Sequence, residues 1–192
     1  MTTRQKDIIT AAGKILSQEG TSGLTIKNIA SEMKFSESAI YRHFKSKEDI
    51  ILEMLNFLAD DMQTRCERVI AQQTSATQQV KHLFTHQISY FQNNPHFVSA
   101  VFSDGLLEES ERVNTAIKKV MQVKFNLLMP VIDKGQKAQE FTNLVSCENL
   151  VEILMGSFRL QMYKWKASGF KSDINNQGNQ IIQDIINLIQ QP

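Results

Sequence analysis

At 192 residues and 42% apolar content, the chain can bury a sizeable core, either as one domain or as a small domain joined to a larger one. A formal charge of only +1 excludes an overall basic field, so any contact with a polyanion has to come from a local patch. The two cysteines, Cys66 and Cys147, are far apart and belong to no CxxC pattern, which argues against a disulfide framework or a cysteine zinc site; both read as packing thiols.

The opening MTTRQKD has no apolar core behind a basic region, and no later apolar run approaches the roughly 18 residues that span a bilayer. A cytoplasmic protein with no membrane partner is therefore expected. Lys and Arg outnumber Asp and Glu by eight to six up to residue 50 and trail by thirteen to fourteen after it, so the slight basic excess is N-terminal.

Three prolines and eight glycines leave long uninterrupted segments with apolar residues three and four apart, the signature of an all-α fold. Ile8, Ala12, Ile15 and Leu16 share one stripe of a first helix over about 4–19, ended by Gly20. Thr25 caps a second helix of about two turns with Ile26, Ile29, Ala30 and Met33 on its apolar face. Ser36 caps a third, shorter helix ending near residue 43 or 44, whose Ile40 and Phe44 point into a small core with Phe35. Ser46 opens a fourth helix, with Asp49 as the partner of a capping box and Glu48 and Asp49 complementing the helix dipole. Ile51, Met54, Leu55, Leu58 and Met62 carry it to about residue 72, far past what a three-helix module requires, so it links two domains, 1–50 and 51–192. Further helices are expected over about 76–93, 95–104, 109–137, 147–167 and 176–190, with breaks at Gly105 and Gly169 and a kink or division at Pro130.

Two short helices joined by a tight turn and braced by a first form a helix-turn-helix, whose second helix enters the major groove of DNA. The outward face of the third helix offers Glu37, Ser38, Ala39, Arg42 and His43, flanked by Tyr41 and Lys47. Arg42 is the candidate for a base edge, because a guanidinium bonds guanine at two points; Tyr41, Lys45 and Lys47 suit phosphates.

The stretch LTIKNIASEMKFSESAIYRHFKSKEDI, Leu24 to Ile50, resembles the DNA-binding signature of the tetracycline-repressor (TetR) family. It has the Thr25 cap, the Ile29-Ala30 pair, the series Ile40, Tyr41 and Phe44, and the run Lys45 to Glu48, in order and without gaps. The resemblance covers residues 4 to about 50 and implies that Lys27, Glu37, Ser38, Ala39, Tyr41, Arg42, His43 and Lys47 lie at DNA-facing positions, with Thr25 a further phosphate contact. One position departs from it: the turn after the second helix usually has glycine, and here it is Lys34. Lysine in a left-handed conformation costs about 1 kcal/mol relative to glycine, so this turn is either strained, differently shaped, or offers an added phosphate contact.

For the rest of the chain the resemblance implies a helical ligand-binding and dimerisation domain, in which the last two helices pair with those of a second subunit. Leu150, Ile153, Leu154 and Phe158, and the isoleucines at 181, 182, 185, 186 and 189, are the candidate surfaces for a homodimer. A pocket for an unidentified small-molecule effector, apolar or aromatic, is expected among Phe84, Phe91, Phe102, Met121, Phe125, Met129, Phe158 and Met162. The function expected is a DNA-binding transcriptional regulator, a repressor released from a palindromic double-stranded operator by that effector. The alternative is a metal-responsive sensor or metal-dependent helical enzyme using His82 and His86, four apart on one helical face, with His96 further along. The pair lacks the glutamate of the metalloprotease motif, and there is no Gly-rich phosphate loop, nucleophile elbow or acid-base pair, so neither catalysis nor a cofactor is expected.

Overall fold

The computed structural model describes residues 1–102, 106 and 110–190. Side-chain caps set most of the helix starts. Thr2 opens α1 (Thr3–Gly23) with a reciprocal box: its hydroxyl accepts from the Gln5 N–H at 3.2 Å, and Gln5 Oε1 accepts from the Thr2 N–H at 2.8 Å. Gly20 breaks α1 where the stop was expected, at φ 72° and ψ −165°, a conformation open to a residue without Cβ; residues 21–23 add one more turn.

Thr25 caps α2 (Ile26–Met33) by accepting from the Asn28 N–H at 3.1 Å, and Ser36 caps α3 (Glu37–Tyr41) by accepting from the Ala39 N–H at 3.3 Å. The regular part of α3 is shorter than expected, yet the His43 and Phe44 N–H groups still donate to the Ile40 carbonyl at 2.9 and 3.1 Å. At the start of α4 (Lys47–Ala71), Ser46 Oγ accepts from the Asp49 N–H at 3.1 Å.

The bounds of α5 (Ala76–Asn93) and α8 (Cys147–Ala167) are those expected, and α6 (Pro95–Val101), α7 (Glu111–Lys137) and α9 (Ile174–Ile189) start or end within a few residues. The end expected at 104, the break at Gly105 and the start expected at 109 lie outside the described residues. Pro130 does not divide α7. It lies on the exposed side of the helix, where Asn126, whose carbonyl it leaves without a donor, is also exposed and the lost bond can go to water. Among the described residues there is no strand, only an isolated bridge between Phe141 and Gln190, and no helix is long and apolar enough to cross a membrane.

Two compact units form: Met1–Ala59 with Asn94–Val120, and Asp60–Asn93 with Met121–Pro192. In the first, Ile8, Ala12 and Ile15 of α1 join Ile26, Ile29 and Ala30 of α2 and Ile40 and Phe44, all buried. α1 also packs on α6, so closely that a Cβ on Gly13 would lie 2.6 Å from His96 Cβ; only glycine fits there. Burial pushes His96 down to about 4, so this histidine is neutral. Phe35 is not part of that core, contrary to the expectation. It is 37% exposed with the Arg4 guanidinium 4.9 Å from its ring centre, because the chain reverses at Lys34 and leaves position 35 at the rim.

In the second unit α9 packs on α5 and on α8. Leu150, Leu154, Phe158 and Met162 of α8 and Ile182, Ile185, Ile186 and Ile189 of α9 are buried inside it. The N-terminus of α5 is capped from far along the chain: the Glu140 carboxylate accepts from the Ala76 and Thr77 N–H groups at 3.0 and 2.9 Å. Burial raises the Glu140 pKa, but these bonds outweigh it and the net shift is downward.

Candidate functional site

The turn between α2 and α3 is left-handed at Lys34, with φ 56° and ψ 43°. The Phe35 N–H donates to the Ala30 carbonyl at 2.8 Å and the Lys34 N–H to the Ser31 carbonyl at 3.1 Å, the pair of bonds that ends a helix around an αL residue. This geometry normally selects glycine. Lys34→Gly should therefore raise thermal stability by about 1 kcal/mol, or roughly 2–4 °C for a chain of this size, as read by a thermal melt. An unchanged or lower melting temperature would mean that Lys34 stabilises the turn in some other way.

Of the residues singled out for DNA, Thr25, Lys27, Glu37, Ser38, Tyr41, Arg42 and His43 are exposed, and Ala39 and Lys47 are half-exposed. Ser38 Oγ lies 2.9 Å from Ser36 Oγ, and the Thr25 hydroxyl, already an acceptor in its cap, keeps its own O–H to donate. Arg42, at the C-terminal end of α3, takes part in no ion pair among the described residues. Ile40 and Phe44 point the other way and anchor the helix. His43 also lines an open groove of about 850 Å³ in the first unit, together with Gln5, Asp49, Arg112 and Lys119.

The acids after Lys47 stand in the first turn of α4 and reach beyond it. Glu48 accepts from Ser110 Oγ at 2.6 Å and from Arg112 Nη1 at 3.1 Å, while Arg112 Nη2 lies 3.7 Å from Asp49. The start of α4 is thereby tied to the start of α7. Arg112 is largely exposed, so the ion pair contributes little energy, on the order of 0.5 kcal/mol, and acts mainly by fixing position.

Of the expected pocket residues, Phe84, Phe91, Phe158 and Met162 are buried in the second unit, with ring centres 5.4 Å apart for Phe84 and Phe158 and 6.2 Å for Phe91 and Phe158. Phe125 and Met129 are half-buried there, Met121 is 38% exposed, and Phe102 is buried in the first unit.

Lys124 joins the buried rings. It is 7% exposed, its Nζ lies 3.3 Å from the centre of the Phe158 ring and 4.1 Å from that of Phe84, and it has no hydrogen-bond partner. Burying an unpaired ammonium costs several kcal/mol, and cation–π contact returns about 2 kcal/mol when desolvated, so the net effect is destabilising. Burial pushes the Lys124 pKa down to about 7, with neighbouring Cys66 opposing the shift. Gln87, 1% exposed, likewise has an unpartnered Nε2, and its Oε1 lies 4.0 Å from the Cys66 thiol.

Both residues interrupt apolar stripes. Ile117, Val120, Leu128 and Val131 are buried at four- and seven-residue spacing from Lys124, and Phe84 and Phe91 stand three before and four after Gln87. A polar side chain in phase with such a stripe is the signal that marks both positions, and aromatic residues alone do not carry it.

The histidines fit a metal poorly. His82 is exposed, and His86 Nδ1 lies 3.3 Å from Arg65 Nη1; arginine only donates, so this nitrogen is the acceptor. Burial, and then the Arg65 cation, push His86 below its usual value, and a second cation would meet the same repulsion. Arg65 is held in place by Asp61 at 2.5 Å and by the Tyr90 ring, 3.5 Å from its guanidinium carbon. Among the described residues no group of three His, Cys, Asp or Glu side chains is placed to hold a metal ion.

Residues 8–54 match the family described as bacterial regulatory proteins, tetR family. The chain is 25% identical over 160 residues to the nucleoid occlusion factor SlmA of Marinomonas sp. (strain MWYL1), covering 81% of each protein. It is 27% identical over 187 residues to the HTH-type transcriptional regulator YuxN of Bacillus subtilis (strain 168), covering 95% of this chain and 64% of that one. Its fold superposes with a TM-score of 0.83, at 17% identity and over 96% of this chain and 99% of the other, on the transcriptional regulator FadR from Bacillus subtilis in complex with stearoyl-CoA.

Proposed function

From the match of residues 8–54 to the tetR family of bacterial regulatory proteins we propose a homodimeric repressor that a small apolar or aromatic effector releases from a roughly palindromic operator. In this reading residues 1–50 bind DNA and residues 51–192 bind the effector and the second subunit. The observation that carries it is the division of α3: Ile40 and Phe44 are buried while Glu37, Ser38, Tyr41, Arg42 and His43 stand in solvent. A short helix so oriented presents one polar face to a major groove about 12 Å wide. That FadR, of like fold, holds stearoyl-CoA supports an effector with an apolar chain. The metal-sensor and enzyme readings are not favoured, for the reasons given at His86.

The dimer is assigned to the last two helices, where Ile153, exposed, and Ile181, half-exposed, are what remains outside of the surfaces expected from sequence. Leu150, Leu154 and Phe158 and most of the α9 isoleucines are spent on the internal core. What α8 leaves outside is a stripe of Ile153, Leu160 and Tyr163, 47%, 50% and 55% exposed, with Gly156 in phase and open space above it; α9 adds Leu188 at 81%. Leu160→Glu should give a monomer by size exclusion with light scattering at micromolar concentration, with helical content unchanged. A dimer that persists would move the interface elsewhere.

Selection of bound DNA from a random pool tests the function itself. A pseudo-palindrome with half-sites about one helical turn apart is the expected result, and recovery of no preferred sequence would reject the reading. Release would follow if the effector preferred a dimer with wider-spaced recognition helices; a differential affinity of about 1–3 kcal/mol shifts operator binding 5- to 150-fold.

A further inference from the structure

Two of the unpaired buried donors in the second unit, where Arg65 Nη2 is a third, stand in its apolar core. Nζ of Lys124 leans on the Phe84 and Phe158 rings with no acceptor, and Nε2 of Gln87, one turn along α5 from Phe84, has none either. Gln87 Oε1 is within 4.0 Å of Cys66 Sγ, and the same thiol interacts electrostatically with Lys124. Buried polar groups are nearly always satisfied, and a charged one left bare in a core is a standing cost that an incoming acceptor removes.

We propose that Lys124 Nζ and Gln87 Nε2 form the head-group end of the effector site, taking the carboxylate of an otherwise apolar molecule whose body lies among Phe84, Phe91, Phe158 and Met162. The inference rests on the reading that the second unit binds an effector. The charge count favours a carboxylate over a phosphate ester: one ammonium balances one negative charge, and the second charge of a phosphate monoester would stay buried and unpaired. The carboxylate's two oxygens accept from the two donors. Met162 and the half-buried Met129 supply side chains flexible enough to repack around a ligand body. Lys124 lies on α7, the helix whose first turn holds Arg112 against Glu48 and Asp49.

The test is calorimetric titration of the full chain with matched probes: octanoate and dodecanoate against octanol and dodecanol, 2-naphthoate against 2-naphthylmethanol, and dodecyl phosphate. At least one carboxylate should bind the wild type ten-fold or more tightly than its alcohol and more tightly than dodecyl phosphate binds. Lys124→Met should abolish that preference, bringing acid binding down to the level of the alcohol, and Gln87→Leu, which keeps the ammonium, should reduce it several-fold. Equal binding of acid and alcohol, preference retained in Lys124→Met, a tighter phosphate, or no binding by any probe would overturn the proposal. Operator binding by the ligand-free wild type is measured alongside: its loss defeats the regulator reading, while operator binding without acid preference defeats this inference alone.

Discussion

Lys124→Met should stabilise the ligand-free protein by about 1–4 kcal/mol near and below pH 7, because an unpaired buried ammonium is exchanged for an apolar side chain of similar length. The gain depends on pH in a direction that follows from the burial. In the folded chain Lys124 loses its proton at about 7, against an ordinary value of 10.5, so between these limits the unfolded chain holds a proton that the folded chain has released. Wild-type stability should accordingly rise with pH across this window, and the advantage of Lys124→Met should shrink from its full size below pH 7 towards nothing near pH 10.5. Chemical denaturation of both proteins from pH 6 to 10 measures the difference, and titrations common to both, such as His86 and His96, cancel in the subtraction. A gap that stays constant with pH would mean that Lys124 is not desolvated in solution.

Arg42→Ala should weaken operator binding by about 1–3 kcal/mol and relax preference at one base pair of each half-site, since a guanidinium reading guanine loses two hydrogen bonds at once. Lys47→Ala serves as the contrast. A phosphate contact carries no sequence information, so its loss should weaken all sequences alike and reduce the slope of log affinity against log salt by about one unit. Binding of both variants to the selected operator and to single-base substitutions, over a range of salt, separates the two roles. Parallel losses with unchanged sequence preference would remove Arg42 from base readout.

The helix order and most boundaries were legible in the chain because the signals are local. Thr25, Ser36 and Ser46 cap, Gly20 breaks, and apolar residues three and four apart mark the buried faces. The expectation of a left-handed residue at position 34 came instead from the family resemblance, which has glycine there, and Lys34 adopts that conformation although it has a Cβ. Phe35 was misplaced for the complementary reason. Hydrophobicity says that a side chain prefers burial, but the direction in which it leaves a tight turn depends on backbone geometry that the residue type does not encode.

Apolar patterning by itself also determined that α8 and α9 would carry broad apolar faces, but not which partner each residue would meet. Leu154 and Ile153 are adjacent and alike in hydrophobicity, yet one is fully buried within the second unit and the other is 47% exposed. Only packing decides between internal core and unpartnered face, since a helix rotation of about 100° per residue turns neighbours to different sides. The same holds for Lys124. Sequence determined a lysine in phase with an apolar stripe, and the tertiary structure decided that no carboxylate among the described residues meets it, leaving a charge over two aromatic rings. Local chemistry is written residue by residue, whereas the satisfaction of a buried polar atom is a property of everything packed around it.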